Sequence, residues 1–101
     1  INMKRLIILF LIFLTACTPQ LKIEDLDVAQ KCIDLCKQQT IDLNNGPCLS
    51  NEIIPDWVCD VAHSPRQDVD NLTENQCQDF REGKANNFVE VTPNCELIRK
   101  Y

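Results

Sequence analysis

The sequence predicts an α+β fold: a small disulfide-stapled domain in which two helices pack on a short antiparallel sheet. Three observations predict it. Six cysteines (Cys32, Cys36, Cys48, Cys59, Cys77 and Cys95) are spread along a chain of 101 residues, a density that suits a domain too small to be held by its core alone. From Ile23 to about Thr40 the apolar residues recur with a helical period. Farther on, the stretches Trp57 to Ala62 and Phe88 to Thr92 alternate in the manner of strands.

The elements follow in order. Leu26, Val28, Ala29, Cys32, Ile33, Leu35 and Cys36 fill one half of the first helix, and Asp27, Lys31, Asp34, Lys37 and Gln38 fill the other. Glu24, Asp25 and Asp27 crowd its first turn, where negative charge suits the helix dipole. Cys32 and Cys36, four residues apart, share the buried face and are expected to staple the helix to two other segments. Asn44-Asn45-Gly46-Pro47 forms a turn. The segment Cys48 to Ile54 has no decisive pattern, and Pro55-Asp56 turns the chain again. In the first strand Trp57, Cys59 and Val61 alternate with Val58, Asp60 and Ala62, and Trp57 is assigned to the core. A polar loop runs from His63 to Asp70. The second helix is expected to start at Thr73, with Gln76 completing a capping pattern and Leu72 packing on Cys77 as a staple. Cys77 and Phe80 mark its inner face, and Gly83 supplies the stop. Phe88 to Thr92 is the second strand, closed by Pro93-Asn94, and Cys95 to Tyr101 pairs or packs along the edge.

The N-terminal segment has a different character. Lys4 and Arg5 precede the apolar run Leu6 to Leu14, and Met3 is read as the start. Nine residues of helix reach about 14 Å, half of a hydrocarbon core of roughly 30 Å. A charged end, a short apolar middle and small residues make an export signal. With the tetrad Leu14-Thr15-Ala16-Cys17, the segment resembles the lipobox of prokaryotic membrane lipoproteins. That resemblance implies a diacylglyceryl group on the Cys17 thiol, removal of residues 1–16 as a signal peptide, a lipidated tether over 17–22 and a domain over 23–101. It also implies anchoring at the cell membrane or outer membrane, facing the periplasm or the exterior. Thr18 resembles the residue that sorts such proteins outward. Setting Cys17 aside turns seven cysteines into six, which can pair fully in an oxidising compartment. Six cysteines allow 15 pairings, and the sequence does not choose among them.

Charge narrows the partners. The whole chain carries −5, and loss of Lys4 and Arg5 deepens this to −7 in the mature part. Such a surface repels nucleic acid, so no nucleic-acid partner is expected, and a protein partner selected by charge is cationic.

The motifs that carry chemistry are few. Cys32, Cys36, Cys59 and His63 are types that zinc accepts, but export favours disulfides among all six cysteines. Cys-x-x-Cys and Cys-x-x-Cys-His are absent, so neither thiol redox catalysis nor haem attachment is expected. His63, the only histidine, neighbours Ser64, but adjacent residues rarely aim at one point and no nucleophile elbow exists. Asp68-Val69-Asp70-Asn71 lacks the glycine and terminal glutamate of a calcium loop. No catalytic residue and no cofactor is therefore expected. Asn71-Leu72-Thr73 matches the N-glycosylation pattern, which makes Asn71 a candidate acceptor. His63 and Arg66 are the candidate contact residues, since arginine anchors interfaces well.

The stretch Trp57-Val-Cys-Asp-Val-Ala-His-Ser-Pro-Arg66, with Glu74-Asn75-Gln76-Cys77 and Phe88-Val89-Glu90-Val91, resembles small cysteine-rich exported proteins of archaea, a group without an assigned activity. The likeness covers Gly46 to Cys95 and implies no catalytic residue. The function expected is that of a lipid-anchored extracytoplasmic binding or structural module. One alternative is an acidic inhibitor of a cationic extracellular enzyme such as a lysozyme, which it resembles in size, charge and anchoring. The other is a metal-binding protein using Cys32, Cys36, Cys59 and His63.

Overall fold

A computed structural model of the chain describes residues 23–101, with side chains described from Asp27 onward. The expected signal peptide, Cys17 and the tether lie outside the described residues. Helix α1 spans Ile23–Lys37. Its buried stripe is Val28, Cys32 and Cys36, each no more than 1% exposed, repeated every four residues as one helix face requires. It stops at Lys37, three residues short of the expected end. There the amide N–H of Gln38 donates to Asp34 and Leu35, that of Gln39 donates to Cys36, and the Gln39 side chain donates to the Leu35 carbonyl at 3.0 Å.

Strand β1 (Cys48–Ile54) and strand β2 (Trp57–Val61) form an antiparallel pair. Pro55 and Asp56 join them. Proline at the first turn position followed by a residue at φ 74° is the pattern of a type II turn. Strand β3 (Asn87–Val91) pairs parallel to β2, and β4 (Leu97–Lys100) pairs antiparallel to β3. The sheet order is β1-β2-β3-β4.

The expected antiparallel sheet is thus corrected to a mixed one. Parallel strands need a crossover of a dozen residues or more, and residues 62–86 supply it. That crossover also contains the expected second helix, cut to a single turn and started later than Thr73. It holds two 3-10 turns, Asp68–Asn71 and Thr73–Asn75, and a one-turn helix α2 (Gln78–Arg81) capped by Cys77. Thr73 makes no capping bond at α2, and Leu72 is 47% exposed and no staple. Gly83 does end α2 as expected, at φ +78°, with its N–H donating to Phe80.

The two faces of the sheet are covered by different things. Cys59, Val61, Val89 and Val91 point to α1 and build the main core with Val28, Cys32, Cys36 and Leu43. Trp57 packs at the margin of that core, half-buried, with the Lys100 ammonium 6.0 Å from its ring centre. On the opposite face, Val58, Cys77 and Ala85 form a smaller cluster with Cys48 and Phe88 under the crossover.

Three disulfides rivet these layers. Cys32–Cys59 ties α1 to β2, Cys36–Cys95 ties the end of α1 to the β3–β4 turn, and Cys48–Cys77 ties β1 to the crossover. Cys32 and Cys36 therefore bond two different segments, as their shared face requires. With partners 27, 59 and 29 positions apart in sequence, each bond constrains the unfolded chain by about 4 kcal/mol in the loop-entropy account.

Candidate functional site

The parallel register sets Asp60 of β2 directly beside Glu90 of β3, with Val58 and Phe88 on the same face two residues back. Two carboxylates thus stand side by side under the crossover. Glu90 is 6% exposed and fully engaged. Arg66 Nη1 donates to its Oε2 at 3.1 Å, and Arg99 Nε donates to its Oε1 at 2.8 Å. Arg66 also donates from Nε to the Asn71 side-chain oxygen at 2.8 Å and from Nη2 to the Asp70 carbonyl at 3.1 Å. One guanidinium thereby locks the crossover loop onto strand β3.

Asp60 is treated differently. Burial pushes its carboxyl up to about 8, the charge of Glu90 adds to the rise, and Arg66 opposes it. At pH 7 it therefore favours the protonated form. Its Oδ1 is buried without a hydrogen-bond partner among the described residues. A buried polar atom left unpaired costs about 1–3 kcal/mol, and such atoms concentrate where something else completes them.

Around these groups lies a cavity of about 380 Å³. Phe80, Phe88 and Val58 supply its apolar surface, and Arg66, Arg81 and Arg99 its cationic one. The Phe80 and Phe88 rings meet edge to face at 5.1 Å, and Tyr101 stacks on Phe88 at 5.5 Å. The Arg99 guanidinium sits 5.3 Å from the Phe88 centroid, a cation–π contact that fixes the arginine as well as its ion pair does.

His63 belongs to a neighbouring, more polar cavity of about 450 Å³ shared with Ser64, Arg66, Thr92 and Glu96. Its Nδ1 lies 2.9 Å from Asp70 Oδ1, and its backbone N–H and that of Gln67 both donate to Asp70 Oδ2 at 2.9 Å. Burial alone would raise the Asp70 carboxyl, but the amide donors of Gln67 and His63 and the His63 ring outweigh it and hold it below its ordinary range. Gly46 makes room for this arrangement. At φ +69°, a Cβ on it would stand 2.5 Å from Asp70 Oδ1 and 3.2 Å from the Val61 carbonyl.

The expected site residues are therefore placed as follows. Arg66 is at the centre of the network and lines both cavities. His63 is oriented by Asp70, and no hydrogen bond joins Ser64 to its ring among the described residues. Asn71 is exposed at the end of a 3-10 turn, its amide oxygen engaged by Arg66. The four residues of the metal alternative do not converge: Cys32 and Cys59 bond each other, Cys36 bonds Cys95, and His63 turns to Asp70. Among the described residues no group of three histidines, cysteines or acids is placed to hold a metal ion. The carboxylate of Asp70 is used up by N–H donors, so the Asp68–Asn71 loop gathers no cation ligands.

Sequence reasoning passed over Asp60, Glu90, Arg81 and Arg99. A signal was present for the first two, since an acid at the centre of a strand otherwise rich in valine needs a partner when both faces are covered. No protein-family model matches this chain, and no curated protein or solved structure matches it either.

Proposed function

We propose that this chain is a lipid-anchored extracytoplasmic binding module, tethered through Cys17, whose ligand enters the cavity between the sheet and the crossover. The observation that carries this reading is the prepositioned lining. Arg66 and Arg99 are held by Glu90, Phe88 is held by its ring neighbours, and the walls are joined by Cys48–Cys77. Sites of this build, apolar with a few fixed polar groups, are the usual form of small-molecule pockets. Three disulfides suit an oxidising location outside the cytoplasm.

The acidic chain supports a second reading, capture or inhibition of a cationic protein. The arginine lining of the cavity means that such a partner would dock elsewhere on the surface. Intact mass spectrometry of membrane-extracted protein tests the anchoring. The expected mass is that of residues 17–101 with acyl chains on Cys17 and six cysteine hydrogens missing. Cys17→Ser should leave the signal uncleaved, and a cleaved, membrane-retained Cys17→Ser protein would refute the anchor.

A further inference from the structure

The charge of the cavity is opposite to that of the chain. Three guanidinium groups line it, while the protein as a whole is acidic. Glu90 neutralises one equivalent of positive charge, divided between Arg66 and Arg99, one carboxylate oxygen each. The remaining acid in the lining, Asp60, favours its protonated form at neutral pH and has an oxygen without a hydrogen-bond partner among the described residues. Arg81, exposed at the end of α2, donates its backbone N–H to Cys77; its guanidinium makes no hydrogen bond or ion pair among the described residues, and the neighbouring Glu82 carboxylate feels its charge from outside the lining. Three guanidinium groups against one carboxylate leave the lining cationic, with Arg81 as the group not bonded to Glu90, beside a carboxyl that favours its protonated form and the apolar surfaces of Phe80, Phe88 and Val58.

We infer that the cavity binds a small organic anion: an anionic group set against Arg81 and an apolar, ring-bearing body laid against Phe80 and Phe88. This assignment rests on the binding reading above and names the ligand class. A planar guanidinium matches carboxylate and phosphate oxygens two at a time, and a ring body adds contact with an aromatic wall. About 380 Å³ lies near the lower end of small-molecule pockets, so it suits one compact ligand rather than a peptide. A cationic ligand would meet Arg66, Arg81 and Arg99 and find only Glu90, already saturated, in return. The protonated form of Asp60 completes the set by withholding a negative charge that would repel an anion.

Four probes that share a phenyl body and differ in charge test this on the oxidised full-length protein: phenylacetate, phenyl phosphate, phenylacetamide and phenethylamine. Binding is read from the shifts of the Phe80, Arg81 and Glu90 amides in nuclear magnetic resonance titrations. The anionic probes should bind about tenfold more tightly than the neutral amide, the effect of one charge-assisted bond. The ratio between phenylacetate and phenyl phosphate distinguishes a carboxylate from a phosphate ligand. Arg81→Gln should erase the preference for anions, and Phe80→Ala should weaken all probes alike. Tightest binding of phenethylamine, or an anion preference that survives Arg81→Gln, overturns the anion assignment and leaves a binding cavity standing. If none of the four probes shifts a cavity resonance, both the assignment and the binding reading fail.

Discussion

The two faces of the sheet are made by the same strands and obey different rules. Toward α1, alternate residues of β2 and β3 are Cys59, Val61, Val89 and Val91, all at most 1% exposed, closed in by two of the three disulfides. Toward the crossover, the intervening residues are Val58, Asp60, Phe88 and Glu90, covered by loops and a single turn of helix and fixed by one disulfide. The period of two in a strand lets one face be filled for stability while the other carries charge. The first face is a scaffold, and the second can hold charged groups because the first holds the chain.

The contrast can be broken most severely at the disulfides. Removing Cys32–Cys59 by paired alanines should cost about 4 kcal/mol, enough to unfold a domain of this size under denaturant conditions that the parent tolerates. Removing Cys48–Cys77 opens a loop of nearly the same length, so the entropic loss is similar, but its effect should differ in place. Amides of β2 and β3 should stay protected in hydrogen exchange while those of residues 62–86 exchange faster. Uniform loss of protection in both variants would show that the two faces do not act separately.

A smaller effect, with the opposite sign, is expected at Asp60. Its carboxyl rises from 3.8 unfolded to about 8 folded, so between these values the folded state holds a proton that the unfolded state has lost. Stability then falls as pH rises from about 4 to 8, with a slope approaching 1.4 kcal/mol per pH unit. Asp60→Asn should relieve this. It should recover part of the roughly 5 kcal/mol accumulated by pH 8, on the order of 3 kcal/mol, and leave stability nearly unchanged at pH 3, as measured by urea denaturation. Equal gains at both pH values would mean that packing, not ionisation, is responsible.

The smallest effect lies at Gly46, where the crossover meets the turn before β1. Gly46→Ala puts a Cβ against Asp70 at a positive φ and should cost about 2 kcal/mol. Because the Asp70 carboxyl is held low, its contribution is present above pH 4 and is lost as pH falls through its folded value. The penalty of Gly46→Ala should therefore shrink in acid, and a penalty independent of pH would indicate backbone strain alone.

Local patterns made much of the helix face readable. The four-residue spacing of Val28, Cys32 and Cys36 is an intrinsic property of a helix, and the alternation from Trp57 to Val61 one of a strand. Strand β1 was opaque because its register shifts at Ser50, which breaks the alternation that would have revealed it. The capping pattern at Thr73 misled for a related reason. It describes a helix that continues, but Gln76 adopts an extended conformation that delivers Cys77 to Cys48. Parallel pairing of β2 and β3 was out of reach, because nothing within either strand states which way its neighbour runs. The site suffered most from this, since Asp60 meets Glu90 only in the parallel register. Arg66 was found by its type alone, and the partners that give it a role were not.

The bond between Cys36 and Cys95 has a consequence for how the chain is made. Its partners are 59 residues apart, and synthesis runs from the N-terminus. When Cys32, Cys48, Cys59 and Cys77 are all available to one another, Cys36 still has no partner. For that interval it is a free thiol one helical turn from Cys32, well placed for exchange with the wrong sulfur. Forming the native set from a growing chain therefore requires that any bond Cys36 makes to Cys48, Cys59 or Cys77 be undone by thiol–disulfide exchange once Cys95 arrives.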